Sequence, residues 1–526
     1  MIKKMVVLAV IVLVSGFVPT VSGNQTEEKK GNPERIGCRG LRHPSVQTIV
    51  REPETLSPSE SQRKAMTDNF DRAKLLCTTR VVTEQNKKML QVPDHIKPFV
   101  GKDIVIAKKA PRIEFGIVPH RPFFFAEPPA GNHVGPWSNW SQANFHPASG
   151  KFYSAVGDHG AYDAHIYLVE YDPSAKRIKV LPEINAVLGR KKTEFSEGKI
   201  HGWLDFYPAD STNLWFCTYW AKYPEPEEAD WQTGYEGGHI MSYDISTGDI
   251  TDYGVPLKRA SWPYHRVDTK RGILYAVGMF GEFLAWDIRE QKTLWAGYLP
   301  KGMVWWNRAI LIDEPTGMVY TTNGDTADTE KHVIKYDPFK NRFSQLSCHM
   351  PQDRETIDLG VSGQYSPMRA QTSLRGPDGL FWCVTSSGQM FTFDPAKEEI
   401  VARGINWPGK QRYTTSMDRS PKGRYIYYLP AAHGRAFMDG APVIQLDTRT
   451  GGKKVLAFLH PFLYEKYGYV AGGTYSVKLD DKGERLFVLW NGAFTDVGDQ
   501  IKKETVDTFG QCSVMLLHIP SEERVE

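Results

Sequence analysis

Seven copies of one strand pattern follow each other from about residue 137 onward, and they constrain the fold more than any other feature of the chain. In each copy an apolar, aromatic strand follows a turn that usually contains Gly. A second strand then ends in an aromatic–Asp pair or its equivalent, as in Tyr171-Asp172 and Trp286-Asp287. A further short strand precedes each copy. The copies begin at Gly150, Leu214, Gly272, Gly317, Gly379, Gly423 and Gly483.

Three or four short strands at periods of roughly 45–70 residues are typical of propeller blades. One small twisted sheet cannot bury both of its faces, whereas radial stacking of several sheets covers the faces and leaves only short edges. A β-sandwich is the rival architecture, but it does not explain seven copies with the same internal order. The repeat therefore predicts an all-β fold, a seven-bladed β-propeller over residues 131–526.

The residues before the propeller divide into two predicted segments. Residues 1–23 have two lysines, an apolar run and small residues at the end, as in a secretory signal peptide. The apolar run is short for a membrane span, so we expect a secreted or periplasmic protein without a permanent membrane anchor. Residues 24–130 are predicted to be an N-terminal extension packed on the propeller. It is partly helical, because Ser57–Thr79 has capping residues and a partial apolar stripe.

Composition excludes some classes of protein and leaves others open. A hydrophobic content of 41% is ample for a large core, and a formal charge of +3 gives no basic footprint for nucleic acid. Six cysteines in a chain of 526 residues do not make a disulfide scaffold, although Cys38 and Cys77 could pair. No tight ligand spacing of the zinc-finger kind is present, so the sequence leaves a metal site unassigned.

Candidate site residues were sought at the ends of the inner strands, because these strands line the channel of a propeller. Polar and aromatic residues at these positions are rich in His, Tyr, Arg and Trp. Such a mixture suits an anionic sugar, since Arg pairs with carboxylate or sulfate, aromatic rings stack on sugar faces, and His or Tyr can move protons. The candidates are Asn139, His159, His201, Tyr219, Tyr223, Arg266, Trp305, Arg308, Arg369 and His433, and the wider set includes Tyr413 and Tyr475.

Each candidate also has a purely structural interpretation. His159 in Gly157-Asp-His-Gly160 could be a loop histidine bonded to Asp158, and His201 could be a satisfied buried histidine. Arg266 and Arg308 could be partners in ion pairs between blades. The sequence alone leaves these alternatives open.

Two stretches of the chain resemble the secreted propeller lyases that cut ulvan-type polysaccharides. They are Trp137-Ser-Asn-Trp140 with Gly150-Lys-Phe-Tyr-Ser-Ala-Val-Gly-Asp-His159, and Lys199-Ile-His-Gly202 with Gly237-Gly-His-Ile-Met-Ser-Tyr-Asp244. The resemblance covers roughly residues 130–520. It implies β-elimination at a uronate within an acidic polysaccharide, in which His and Tyr do the proton work and Arg serves the carboxylate.

By this resemblance His159 is the acid or base, Tyr219 or Tyr223 is the tyrosine, and Arg266 is the arginine. The chain departs from the family pattern at Asn139, where the family tends to have a second His. It also has no Arg between residues 191 and 258, so the arginine role falls to a later blade. Some members of the family hold zinc, and the resemblance leaves a structural divalent metal open without assigning its ligands.

Two other functions compete with a polysaccharide lyase. A non-catalytic sugar-binding or interaction propeller would have the aromatics and arginines but no paired proton donor and acceptor. A glycoside hydrolase needs two carboxylates that flank the scissile bond, for which Asp158, Asp163 and Asp205 are the available acids near the first two blades.

Overall fold

Seven small antiparallel sheets form the blades of a β-propeller, which confirms the predicted fold class. The structure is a computed structural model. The residues that it describes are 41–43, 81–118, 138–158, 160–220, 226–299, 303, 308–323, 330–353, 365–494 and 509–525. All of them belong to one contact unit, residues 36–526. The predicted signal peptide and the predicted helix Ser57–Thr79 lie outside these residues.

Four short strands come before the first blade. They are β1 (Leu41–His43), β2 (Val82–Glu84), β3 (Ile104–Ile106) and β4 (Arg112–Ile117). Blade 1 contains β5 (Ser138–Asn139), β6 (Asn144–His146), β7 (Lys151–Gly157), β8 (Ile166–Asp172) and β9 (Arg177–Glu183). Blade 2 contains β11 (Asp205–Phe206), β12 (Asn213–Cys217), β14 (Ile240–Asp244) and β15 (Ile250–Asp252), and a separate two-stranded ladder is formed by β10 (Glu197–Lys199) and β13 (Tyr219–Trp220).

The next three blades each have four strands in sequence order. Blade 3 contains β16 (Tyr264–Asp268), β17 (Ile273–Val277), β18 (Glu282–Asp287) and β19 (Lys292–Tyr298). Blade 4 contains β20 (Leu311–Asp313), β21 (Met318–Thr322), β22 (His332–Asp337) and β23 (Arg342–His349). Blade 5 contains β24 (Met368–Gln371), β25 (Phe381–Thr385), β26 (Gln389–Asp394) and β27 (Glu399–Ile405).

Strands of the N-terminal segment join three blades: β1 pairs antiparallel with β15 of blade 2, and the other three strands join the last two blades. Blade 6 contains β28 (Met417–Arg419), β29 (Tyr425–Tyr428), β30 (Pro442–Asp447) and β31 (Lys453–Phe458), with β3 added in parallel to β31. Blade 7 contains β32 (Tyr469–Leu479), β33 (Arg485–Phe494) and β34 (Ser513–His518), followed by β4 and β2.

Helices are short where the structure describes the chain. The α-helices are α1 (Ile184–Val187), α2 (Glu228–Trp231) and α3 (Leu459–Tyr467). The 3₁₀ helices are Lys87–Leu90, Lys97–Phe99, Ala436–Asp439 and Ser521–Glu523. No helix among the described residues is both long enough and apolar enough to cross a membrane.

The repeated sequence pattern has a direct structural cause. In β7 Phe152 and Val156 contribute to the apolar cluster shared with blade 7, whereas Tyr153 and Ala155 contribute to the cluster shared with blade 2. Successive side chains of a strand point to opposite faces, and both faces of a blade are buried. The strands therefore have continuous apolar runs instead of an alternation of apolar and polar residues.

The Asp of the aromatic–Asp pair shapes the turn that follows it. Asp172 Oδ1 accepts hydrogen bonds from the backbone N–H groups of Ser174 and Ala175 at 2.9 and 3.1 Å. Asp394 does the same for Ala396 at 3.0 Å. These are Asx turns, which explains why Asp recurs at the point where the third strand of a blade ends.

The ring closes through β4 of the N-terminal segment. Arg112–Ile117 pairs antiparallel with Ser513–His518, so blade 7 obtains its fourth strand from the opposite end of the sequence. Phe115 is fully buried there and packs on Tyr467 and Tyr469, with ring centroids 5.7 and 5.2 Å apart. The segment is thus part of the seventh sheet, which is a closer association than the packing predicted from sequence.

We expect Phe115→Ala to lower the free energy of unfolding by about 3–5 kcal/mol, because it leaves a cavity at the ring closure. Val105→Ala is the matched control, since Val105 lies on the other added strand, β3, and is 49% exposed. That change should stay within about 0.5 kcal/mol. Denaturant unfolding of both variants measures the difference. Equal midpoints would show that β4 does not hold the ring closed.

Candidate functional site

One end of the ring centre contains a cluster of aromatic and basic side chains. Its members lie at or just before the innermost strands, or on the connections that follow them, and come from blades 1, 2, 4, 5, 6 and 7. They are Trp140, Lys199, His201, Tyr219, Arg308, Arg369, Tyr413, His433, Tyr475 and Phe509. We call this set the central cluster.

The aromatic part of the central cluster spans the join between the last blades and the first. The Trp140 ring lies 4.9 Å from Tyr475 and stacks on His201 at 5.9 Å, measured between centroids. His433 contacts Tyr413 at 4.5 Å and Tyr475 at 5.9 Å. These rings form a continuous wall of the kind on which a sugar ring can stack.

Arg369 is the best-defined cation of the central cluster. Its Nε donates a hydrogen bond to the Tyr413 hydroxyl at 2.7 Å, and its Cζ lies 5.4 Å from the Tyr413 ring and 5.3 Å from the Tyr475 ring. The side chain is 2% exposed, yet neither terminal nitrogen, Nη1 or Nη2, has a partner among the described residues. A buried guanidinium with two open donors is prepared for a bidentate carboxylate.

The histidines of the central cluster stay neutral. Burial, with Arg308, Arg369 and Lys199, holds the pKa of His201 well below its usual value. The same influences lower the pKa of His433 to about 3. A neutral imidazole has one N–H donor and one nitrogen acceptor, so either ring can donate one hydrogen bond and accept one near neutral pH.

The two tyrosines differ in acidity. Burial alone would raise the pKa of Tyr413, but Arg369 and Arg308 together lower it below its ordinary value. Burial and the neighbouring Tyr413 raise the pKa of Tyr475. Tyr413 is therefore the phenol that loses its proton more readily, as a general base requires.

Five of the residues predicted from sequence meet in the central cluster. They are His201, Tyr219, Arg308, Arg369 and His433. His159, Tyr223 and Trp305 lie outside the described residues, so their roles stay predictions. Sequence reasoning gave no role to Trp140, Lys199 or Phe509, and it named Tyr413 and Tyr475 only in the wider set. These residues lie close to or within an innermost strand, or in the connection after the second strand of a blade.

Arg266 lies elsewhere and has the ion pair between blades that was one of its two interpretations. Its Nε is 3.2 Å from Asp205 of blade 2, and its Cζ lies 4.2 Å from the ring of Trp203. Asp205 also accepts the Val267 N–H at 2.9 Å. Lys478 and Asp418 repeat this arrangement between blades 6 and 7, with a distance of 3.2 Å. The repetition favours a structural role for Arg266.

Asn139 is buried in a polar network between blades 1 and 7. Its Oδ1 accepts the Tyr475 N–H at 3.0 Å, and its Nδ2 donates to Ala155 O and Ser476 Oγ, each at 3.0 Å. Its backbone N–H donates to the Asn491 side chain. These contacts make Asn139 a fastener of the ring, and they position Tyr475 of the central cluster.

No group of three or more His, Cys, Asp or Glu side chains that could hold a metal ion occurs among the described residues. Cys38 and Cys77 lie outside them. A structural divalent metal therefore stays a prediction without assigned ligands.

Comparison with known proteins adds little to this geometry. No family model matches the chain, and no curated protein matches its sequence. Among solved structures, the chain is similar to one in "Crystal Structure of Mitotic Checkpoint Complex" with 10% identity and a TM-score of 0.43. The match covers 76% of this chain and 99% of that chain. The function must therefore be inferred from the central cluster itself.

We expect Asn139→Ala to destabilise the fold by about 1–3 kcal/mol, because it leaves the buried Tyr475 N–H without its acceptor. Asn144→Ala is the comparison, since Asn144 links blades 1 and 2 through one bond to Leu204 O at 2.7 Å and is only partly buried. Thermal denaturation should give a lower midpoint for Asn139→Ala. A smaller loss than in Asn144→Ala would contradict the fastener role.

We also expect His433 to make the fold less stable as the pH falls. Unfolded His binds a proton near pH 6.5, whereas folded His433 does so only near pH 3, so the unfolded state gains protons throughout this window. Stability is therefore lost as the pH falls from about 6.5 towards 3. In His433→Gln the loss over this window should be smaller than in the wild type. Equal losses, or a His433 ring that titrates near 6.5 by NMR, would contradict this expectation.

Proposed function

We propose that this protein is a secreted polysaccharide lyase that cleaves an acidic, uronate-containing polysaccharide by β-elimination. The single observation that carries the proposal is the buried Arg369, whose two terminal nitrogens have no partner among the described residues and which lies beside the acidic phenol of Tyr413. The signal-like N-terminus is the basis for proposing secretion, and the family resemblance is the basis for proposing a uronate-containing substrate.

The reaction needs a cation that neutralises the uronate carboxylate. Neutralisation makes the C5 proton more acidic and stabilises the negative charge that develops on the carboxylate during its removal. Arg369 can bind both carboxylate oxygens through Nη1 and Nη2, while Arg308 adds positive charge nearby. Arg369 and Arg308 therefore take over the role that the resemblance alone gave to Arg266.

Proton transfer needs an acceptor for the C5 proton and a donor for the leaving glycosidic oxygen. Tyr413 is the acceptor, because its lowered pKa makes the phenolate accessible. The neutral rings of His201 and His433 each have one N–H, which can donate a hydrogen bond to the leaving oxygen. The C5–H and C4–O bonds break and a C4–C5 double bond forms. The proton that Tyr413 takes from C5 passes to the glycosidic oxygen, which leaves as a hydroxyl.

The acids predicted for a glycoside hydrolase are engaged elsewhere. Asp205 is paired with Arg266, and Asp163 lies 3.2 Å from Lys192 at the surface. Asp158 is buried and accepts the backbone N–H groups of Gly160 and His165 at 2.8 and 2.9 Å. Each of these carboxylates already has a partner within the protein, which does not favour a role in hydrolysis.

The test is to incubate the purified chain with a panel of uronate polysaccharides and to follow the ultraviolet absorbance of unsaturated uronates. One polymer should give new absorbance, and Tyr413→Phe should lower turnover by about 10²–10⁴-fold, since it removes the proton acceptor and keeps the ring. Tyr428→Phe is the matched control, because Tyr428 is a buried tyrosine of the same blade whose hydroxyl donates to Asn406 O at 2.6 Å.

The other outcomes separate the competing functions. Binding of a polymer without new absorbance or new reducing ends would favour a non-catalytic sugar-binding propeller. New reducing ends without absorbance would indicate hydrolysis. Equal activity of Tyr413→Phe and Tyr428→Phe would remove Tyr413 from the mechanism and leave elimination to other residues.

A further inference from the structure

Lys199 is a buried lysine of the central cluster that the proposed elimination does not use. It is the last residue of β10 and lies opposite Tyr219 of β13 in the two-stranded ladder. Its side chain is 4% exposed. Its Nζ lies 4.6 Å from the centre of the Trp140 ring and 5.2 Å from that of Tyr219. Two aromatic rings therefore fix the position of the amine at the centre of the ring of blades.

The two ring faces are the only contacts among the described residues that favour a charged form of this amine, and each is weaker than the cost of burying an ammonium. Across the described ranges, Lys199 makes no hydrogen bond and no ion pair, although a buried ammonium ordinarily needs an acceptor. Burial and the charge of Arg308 hold the pKa of Lys199 well below its usual value, and the charge of Asp158 opposes them. Asp158 is itself protonated more readily than usual, since burial raises its pKa to about 7.

A lysine kept neutral by burial and by a neighbouring cation is a nucleophile. Its lone pair can add to a carbonyl carbon while the carbonyl oxygen takes up a proton, and loss of water then gives an imine. One amine and one carbonyl thus give one imine and one water, with no oxidant or reductant. Arg308 and Arg369 would favour carbonyl compounds that also have a carboxylate.

We propose that Lys199 is a carbonyl-capturing residue, which forms a reversible imine with small 2-oxo acids or with open-chain uronic acids. The burial of the amine without an acceptor among the described residues and the positive charge of Arg308 support this role. A purely structural lysine, held by its contacts with the two rings, is the alternative. A structural lysine would react no faster than other buried lysines of the same chain.

Reductive trapping tests the proposal on the full chain without a polysaccharide. Pyruvate and sodium cyanoborohydride are added at pH 7, and the modified lysines are located by mass spectrometry of peptides. Lys453 is the internal control, because burial also lowers its pKa, but it lies on β31 at the outside of blade 6. Each unit by which a lysine pKa is lower makes the neutral amine about ten-fold more abundant. Lys199 should therefore be labelled faster than Lys453, because its pKa is held well below its usual value.

A second comparison tests the role of the arginines. Hydroxyacetone has a ketone but no carboxylate, so it should label Lys199 more slowly than pyruvate does, while Lys453 should not distinguish the two. Lys199→Arg places a long basic side chain without a nucleophilic amine beside Trp140 and should lose the label, with thermal unfolding as the check on its fold. Labelling of Lys453 or surface lysines in preference to Lys199 would overturn the proposal, and this comparison needs only the wild-type chain. Equal rates of Lys199 labelling with pyruvate and hydroxyacetone would show that the arginines do not select for a carboxylate. Neither result depends on lyase activity.

Discussion

Closure of the ring is the constraint on which the rest of this structure depends. Every blade buries both of its faces against neighbours, so an open ring would expose the apolar faces of the first and last blades together. The antiparallel pairing of β4 with β34 prevents this by joining residues 112–117 to residues 513–518. The N-terminal segment therefore has a mechanical role, and it adds β2 and β3 to blades 7 and 6 in the same region.

The central cluster inherits its geometry from that closure. Trp140 follows the first strand of blade 1, and Tyr475 lies in the innermost strand of blade 7, so their contact crosses the join. Asn139, one residue before Trp140, binds the backbone of Tyr475 and fixes this contact. A change in ring closure would thus displace the aromatic wall and Arg369, which packs on Tyr475. Stability at the join and chemistry at the centre are coupled through these few residues.

The repeat predicted the fold well because each of its residues is determined by contacts with near neighbours in the chain or by burial within the strand. Asp172 makes an Asx turn with its own neighbours, and the apolar runs follow from two buried faces, so both are readable without a structure. Ring closure could not be predicted, since the sequence of a short strand such as β4 does not indicate the strand with which it pairs. At the site, His201 and Arg369 were found because they stand near the innermost strands. Arg266 and Asn139 stand in similar positions. They differ from the site residues only in their partners on adjacent blades, since Arg266 pairs with Asp205 and Asn139 donates a hydrogen bond to Ser476. The sequence does not reveal these partners.

Charge is segregated along the innermost strands, and this explains why an anion would enter at one end. Four or five residues after the site positions come aspartates that are paired with a basic residue of the next blade: Asp205 with Arg266, Asp313 with Arg375 and Asp418 with Lys478, each at 3.2 Å. At that end the positive charge is compensated within the protein. At the other end the terminal nitrogens of Arg369 have no partner among the described residues. Burying such a cation costs free energy that the fold does not recover by itself. A ligand with a carboxylate would recover part of this free energy, which is the physical reason for proposing an acidic substrate.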